Sequence, residues 1–192
     1  MRKLVYYVGV SIDGYIAGPG GKVDFYPLAD DMMAWICERY PETLPTHVRP
    51  HVGLAEDAPN QRFDTLMMGL GTYQPALDID VTSPYAHMRQ YVASTTLDEI
   101  ADPGVELVRE PLGIVRELKA EEGDKDIWLC GGGRLAAALL PEIDELIVKN
   151  YPVVAGAGTA AFTGAFRPTP FTPTERRAFS NGAQVTWFTR TP

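Results

Sequence analysis

Two apolar segments of this chain end in glycine and pass at once into helix-forming sequence, and that punctuation constrains the fold more than any other feature. Asp126-Ile127-Trp128-Leu129-Cys130 runs into Gly131-Gly132-Gly133, followed by Arg134-Leu135-Ala136-Ala137-Ala138-Leu139-Leu140. Phe63 to Met68 likewise runs into Gly69-Leu70-Gly71-Thr72. Apolar runs of this length bounded by glycine read as buried strands, and buried strands that feed helices build parallel sheets. Glycine at the junction either supplies the positive φ of a tight turn or lets a ligand approach a backbone that has no Cβ in the way. Spacing alone leaves both readings open.

The remaining segments follow the same pattern. Residues 3–10 read as a central strand, and Asp30 to Tyr40 as a helix with Met32, Met33, Ile36, Cys37 and Tyr40 on one face. Asp30 and Asp31 suit the positive end of that helix, and Pro41 helps to stop it. Pro41 to Asn60, rich in proline and histidine, reads as a long loop or lid. Tyr91 to Ser94, Val105 to Arg109 and Glu145 to Asn150 read as strands, while Pro111 opens a helix that closes near Gly123. Ser180-Asn181-Gly182 signals a hairpin, with Val185, Trp187 and Thr189 sharing one face of the last strand. The expected fold is an α/β core with a mixed, mostly parallel sheet and a C-terminal antiparallel hairpin, in a single domain over residues 1–192.

Composition narrows the function. A net charge of −8 with no run of lysine or arginine lacks the electrostatic footprint of a nucleic-acid binder or of an anionic membrane surface protein. Cys37 and Cys130 are far apart and form no Cys-x-x-Cys, so no disulfide framework is expected. No apolar run approaches the ~20 residues of a membrane span, and Met1-Arg2-Lys3 leads into a strand rather than a cleavable leader, which reads as a cytoplasmic protein. His47 and His51 are four apart, but Pro45 and Pro50 break the helix that would align them, so no metal site is expected. The P-loop pattern, the Gly-x-Gly-x-x-Gly of ordinary dinucleotide folds and the zinc-deaminase signature are all absent.

Ligands of open α/β sheets sit at the carboxyl ends of the strands, and helix N-termini there favour phosphate. A pyrophosphate-bearing cofactor therefore suits the two glycine turns. Ser94-Thr95-Thr96 follows a strand, where its hydroxyls could meet a ribose or simply cap the next turn. Ser11-Ile12-Asp13-Gly14-Tyr15-Ile16-Ala17 follows the first strand; Ile16 and Ala17 would bring small apolar groups over a flat ring, and the plain alternative is a β-turn with an exposed aspartate. Gly156-Ala157-Gly158 shows nothing beyond a flexible loop.

Taken in order, Ser11 to Ala17, Phe63 to Tyr73, Ser94-Thr95-Thr96-Leu97 and Cys130 to Leu135 resemble the dihydrofolate-reductase-like superfamily. More closely, the chain is similar to stand-alone bacterial relatives of the reductase (C-terminal) domain of the bifunctional riboflavin-biosynthesis deaminase–reductase. The resemblance implies a three-layer αβα fold with NADPH extended across the strand ends. It implies Gly69, Gly71 and Thr72 at the phosphates, and Ser94 and Thr95 at the adenosine end. Gly131, Gly132, Gly133, Arg134 and Leu135 would lie on the pyrophosphate and nicotinamide side, with Ile16 and Ala17 near the nicotinamide ring. Leu70 stands where members often carry an arginine for the 2′-phosphate, which leaves NADH open beside NADPH. Tyr73-Gln74-Pro75-Ala76-Leu77 departs from the substrate-binding continuation of the riboflavin reductases.

The implied activity is hydride transfer to a small heterocyclic or ribosylaminopyrimidine-like substrate, as in riboflavin biosynthesis. Asp31 and then Asp13 are the candidate proton donors, each with a plain alternative as a helix-end charge and a turn residue. The competing reading is a protein of the same fold that binds cofactor or ligand without turnover; a bare dimerisation module is a third. Related reductase domains pair, so a homodimer is expected, with a small molecule as the other partner. At 192 residues the chain has room for the reductase domain and none for a deaminase domain beside it.

Overall fold

The computed structural model describes residues 1–191. Its strands are β1 (Leu4–Val10), β2 (Tyr15–Ala17), β3 (Phe63–Gly69), β4 (Arg89–Ala93), β5 (Val105–Val108), β6 (Asp126–Gly131), β7 (Ile143–Asn150), β8 (Thr159–Ala160), β9 (Phe171–Ala178) and β10 (Gln184–Arg190). Its helices are α1 (Asp30–Arg39), α2 (Leu70–Leu77), α3 (Pro111–Ala120) and α4 (Gly133–Leu139). Eight strands form one sheet in the order β5-β4-β3-β6-β1-β7-β10-β9. The pairings from β5 to β7 are parallel, and β10 runs antiparallel to both β7 and β9.

The central strands are apolar on both sides because helices cover both faces of the sheet. Val5 and Tyr7 of β1 pack in one core with Met32, Trp35 and Ile36 of α1. Leu4, Tyr6 and Val8, one pleat away, pack in the other with Val115 and Leu118 of α3 and with Leu135, Ala136 and Leu139 of α4. The result is the three-layer αβα architecture. Among the described residues no helix is long and apolar enough to cross a membrane.

Two expectations change in detail. The hairpin between β9 and β10 is present, but Asn181-Gly182 is not its two-residue tip. Gly182 N–H donates to Phe179 O and Phe179 N–H to Ala183 O, with only Gly182 at positive φ (+84°), which makes a three-residue connection with a bulge. Phe179 and Ala183 are buried against α1, and that burial sets the register of the loop. Pro41 to Asn60 is a loop without α-helix or strand, as expected, yet it encloses two buried charges. Glu42 accepts from the backbone N–H groups of Gln61, Arg62 and Phe63. The Arg49 guanidinium donates to the carbonyls of Pro41, Glu56 and Ala58. A segment pinned in this way forms a fixed wall.

Candidate active site

All parallel strands point their carboxyl ends to one edge of the sheet, and a cleft of about 1460 Å³ opens there. Its floor is made by the two glycine turns, which lie side by side because β3 and β6 are neighbours. A Cβ built on Gly69 would stand 3.7 Å from both Gly131 O and Gly132 N. The Thr72 hydroxyl lies 3.8 Å from the Cβ position of Gly131 and 3.9 Å from that of Gly132, where the Ile16 Cδ1 methyl also stands at 3.9 Å. The structure thus gathers Gly69, Gly71, Thr72, Gly132, Gly133, Arg134 and Leu135 with Ile16 and Ala17 into one cavity. Gly131 completes the turn beneath them with φ +126°, a backbone conformation that glycine alone adopts freely. Gly69 caps α2 without any side-chain hydrogen bond, and the first residues of that helix, Leu70, Gly71 and Thr72, line the cleft.

Ser94 and Thr95 line the far end of the cleft, beyond β4. The Ser94 hydroxyl accepts from Thr96 N–H and Leu97 N–H, so the capping role anticipated for it is present. Beside it Arg109 donates to the carbonyls of Ser94 and Asp98, which brings a guanidinium to the cleft wall.

Asp13 and Asp31 are placed otherwise. Neither lines the cleft. The Asp13 carboxylate accepts from Ser11 Oγ at 2.6 Å, Ala155 N at 3.0 Å and Gly156 N at 2.7 Å. Those donors, the Ser11 hydroxyl first, pull its pKa down to about 2. Asp31 accepts from the backbone N–H and hydroxyl of Ser180, which lower its pKa as well. Carboxylates held ionised by donors have no proton to give at neutral pH. Asp31 ties α1 to the hairpin and Asp13 ties the first turn to the loop after β7; the plain alternatives describe both.

Sequence reasoning missed the strap that roofs the glycine turn. Thr159–Ala160 pairs with Tyr15–Ala17 as a two-stranded sheet, Thr163 N–H donates to Gly133 O, and Tyr6 OH donates to Ala161 O. A Cβ on Gly133 would lie 2.0 Å from Ala160 O, and one on Gly158 2.0 Å from Ala17 O, so both glycines are required by close backbone contact. Gly158 belongs to the segment that reads from sequence as only a loop.

Also missed were the side chains of the β1–β7 end. Tyr7, Tyr26, Tyr85, Trp128 and Tyr151 line it, with the Tyr26 and Tyr151 rings 4.6 Å apart. Tyr7 is 2% exposed, and its hydroxyl has no hydrogen-bond partner among the described residues. Burial raises the Cys130 thiol to about 12 and lowers the Lys149 ammonium to about 8. No aspartate or glutamate is among the described residues that line the cleft, whereas Arg109, Arg134 and Lys149 all are.

This arrangement is the dihydrofolate-reductase-like αβα class. Dihydrofolate reductase from Enterococcus faecalis, solved in complex with NADP(H) and RAB-propyl, superposes with a TM-score of 0.67 at 15% identity, over 99% of this chain and 97% of that one. A putative riboflavin biosynthesis protein from Shewanella sp. PV-4 superposes with a TM-score of 0.72 at 24% identity, over the whole of both chains. The chain belongs to the RibD C-terminal domain family, whose profile matches residues 2–185. Two Bacillus subtilis (strain 168) proteins described as uncharacterized are similar in sequence. YwjB is 29% identical over 164 residues, 84% of this chain and 83% of its own length. YyaP is 26% identical over 194 residues, 94% of this chain and 91% of its own.

Proposed function

We propose that the protein is an NADPH-dependent reductase acting on a small heterocyclic or ribosylaminopyrimidine-like substrate. The observation that carries this reading is the convergence of two glycine turns on one floor of a cleft that carries cations and no carboxylate among its described lining residues. Such a floor fits a pyrophosphate, because backbone N–H groups can reach the oxygens where no side chain intervenes. Gly69, Gly71 and Thr72 would hold the phosphates, Ser94, Thr95 and Arg109 the adenosine end, and Gly131 to Leu135 with Ile16 and Ala17 the nicotinamide side. Reduced nicotinamide, when bound, supplies hydride; the chain supplies distance, orientation and a dry wall. With Leu70 at the middle turn, Arg109 is the guanidinium beside Ser94 available to a 2′-phosphate, which favours NADPH over NADH.

Trp128 lines the cleft, so cofactor binding is readable as quenching of tryptophan fluorescence. Saturable quenching by NADPH at lower concentration than by NADH is expected; no quenching by either at millimolar cofactor overturns the proposal. One observation favours binding without turnover: both candidate acids are tied up outside the cleft. Tight NADPH binding with no loss of its absorbance across pterins, pyrimidines and quinones would establish that reading instead.

A further inference from the structure

Lys149 lies on the last parallel strand, β7, and on the same pleat as Ile147, whose side chain is in the α1-side core. The β1–β7 end of the cleft is four strand positions from Ser94, about 19 Å at the usual strand spacing. The Nζ atom sits 3.9 Å from the centroid of the Tyr7 ring. An ammonium over an aromatic face is held by the ring quadrupole, and that attraction leaves its N–H donors free. Among the described residues Lys149 makes no ion pair, and it opens on the cleft beside Trp128, Cys130 and Tyr151.

The tyrosines and the cysteine that face it are uncharged near neutral pH. On β1 the Tyr7 hydroxyl is pushed well above its ordinary pKa by burial, as is Tyr85 across the cleft. On β6 Cys130 is raised to about 12; Tyr151 after β7 and Tyr26 before α1 are each raised to about 12. Glu42, behind Tyr7, is occupied by three backbone N–H groups. Thr43 and His47 come from the pinned segment on the same wall, and Val185 of β10, opposite Lys149 in the ladder, is apolar. A lysine surrounded in this way has no partner of its own to satisfy.

We propose that Lys149, seated on Tyr7, anchors the substrate ring by donating to one of its oxygens, and that it selects flat rings with carbonyl or ionised oxygen edges over rings with basic amino edges. The inference rests on the reductase reading, whose substrate class it narrows. Aromatic rings of Tyr26, Tyr85 and Trp128 line the cleft and favour a flat ligand. The polarity follows from the charge inventory, since a basic amino edge is recognised by a carboxylate and the described cleft lining provides none.

The test uses two rings of one shape and opposite polarity, 1,3-dimethylpteridine-2,4-dione and 2,4-diaminopteridine, titrated calorimetrically into the full chain with and without NADP⁺. The wild type is expected to bind the dione at least about tenfold more tightly, as for a charge-assisted hydrogen bond. Lys149→Met is expected to lose that preference and Lys149→Arg to keep most of it, both with NADPH quenching unchanged. The dimethylated dione has no acidic N–H, so in the wild type its affinity should fall as pH rises through about 8, where the lysine loses its proton, and stay level in Lys149→Met. Equal dione affinity in Lys149→Met, tighter binding of the diamino ring by the wild type, or binding of neither ring overturns the inference. If Lys149→Met does not fold, the ring preference and the pH profile of the wild type decide it. Failure of NADPH to bind would overturn the reductase reading alone, because the ring titrations without cofactor are read separately.

Discussion

The two ends of the sheet treat charge in opposite ways. At the amino ends of the strands, cations and carboxylates neutralise one another. Arg2, 4% exposed, pairs with Asp64 and Glu121 and donates to Lys125 O; Arg89 pairs with the same Glu121. Arg62 joins Asp126 to Glu145, and Lys119 joins Glu142 to Asp144. At the carboxyl ends Arg109, Arg134 and Lys149 line the cleft with no carboxylate partner among the described residues. Net charge is shared by the whole chain, but none of the described residues that line the cleft is an acid. Cations at one end are neutralised within the fold, where removing one partner would leave the other uncompensated; cations without carboxylate partners at the other end leave binding capacity unused by the fold.

The sharpest way to break this contrast is to damage the carboxyl end without touching a charge. Gly133→Ala drives a Cβ into Ala160 O and displaces the strap, so loss of NADPH quenching together with a lower melting temperature is expected. Gly71→Ala meets nothing within 4 Å and should leave the melting temperature unchanged. Wild-type quenching and melting in Gly133→Ala would show that the strap is not built on that contact.

At the amino end Arg2→Met strips a buried cation from two carboxylates and should cost about 3 kcal/mol in chemical denaturation, with cofactor binding intact. A loss of binding in that variant would mean that the two ends are not independent.

Lys149→Met should be more stable than the wild type at pH 7, because the half-buried, partly desolvated ammonium is costly to keep charged. Its folded pKa, about 8, lies below the unfolded 10.5, so the unfolded chain binds more protons between those values. Wild-type stability therefore rises across that window, and the advantage of Lys149→Met should shrink as melting is followed from pH 7 to pH 10. A constant difference would place the lysine head in water rather than over Tyr7.

The smallest effect belongs to Asp13, whose folded pKa is about 2 against an ordinary 3.8. Its contribution is complete above pH 3.8 and lost as pH falls toward 2, so Asp13→Asn should be slightly less stable at neutral pH and converge with the wild type in acid. Melting curves measured from pH 7 to pH 2 check it, and parallel curves would mean that the Ser11 and backbone contacts do not hold the carboxylate.

What was legible from residues alone shares one trait: its signal is local. Gly69 and Gly131 to Gly133 stand out because an apolar strand, a glycine and a helix are consecutive, and α1 because its apolar face recurs at helical spacing. Lys149 does not stand out, because one cation in a strand resembles a solvated position until Tyr7, from another strand, is seen beneath it. Gly158 was unreadable for the same reason: what requires glycine there is the carbonyl of Ala17, about 140 residues away in the chain. Asp31 misled because its donor, Ser180, is equally remote; Asp13 has one local donor in Ser11, but the backbone N–H groups of Ala155 and Gly156 that complete its hold are remote as well.

The junction of apolar strand, glycine and helix was thus settled by sequence, since backbone sterics and hydrophobic periodicity act over a few residues. Sequence also settled that the sheet would be mostly parallel with an antiparallel end. Tertiary structure alone decided which charges meet. Parallel pairing places β1, β3, β6 and β7 side by side although they are far apart in the chain, and electrostatic partnership depends on that spatial distance. The two glycine turns were visible singly; that they form one floor, facing cations with no acid among the described residues beside them, is a property of the folded sheet.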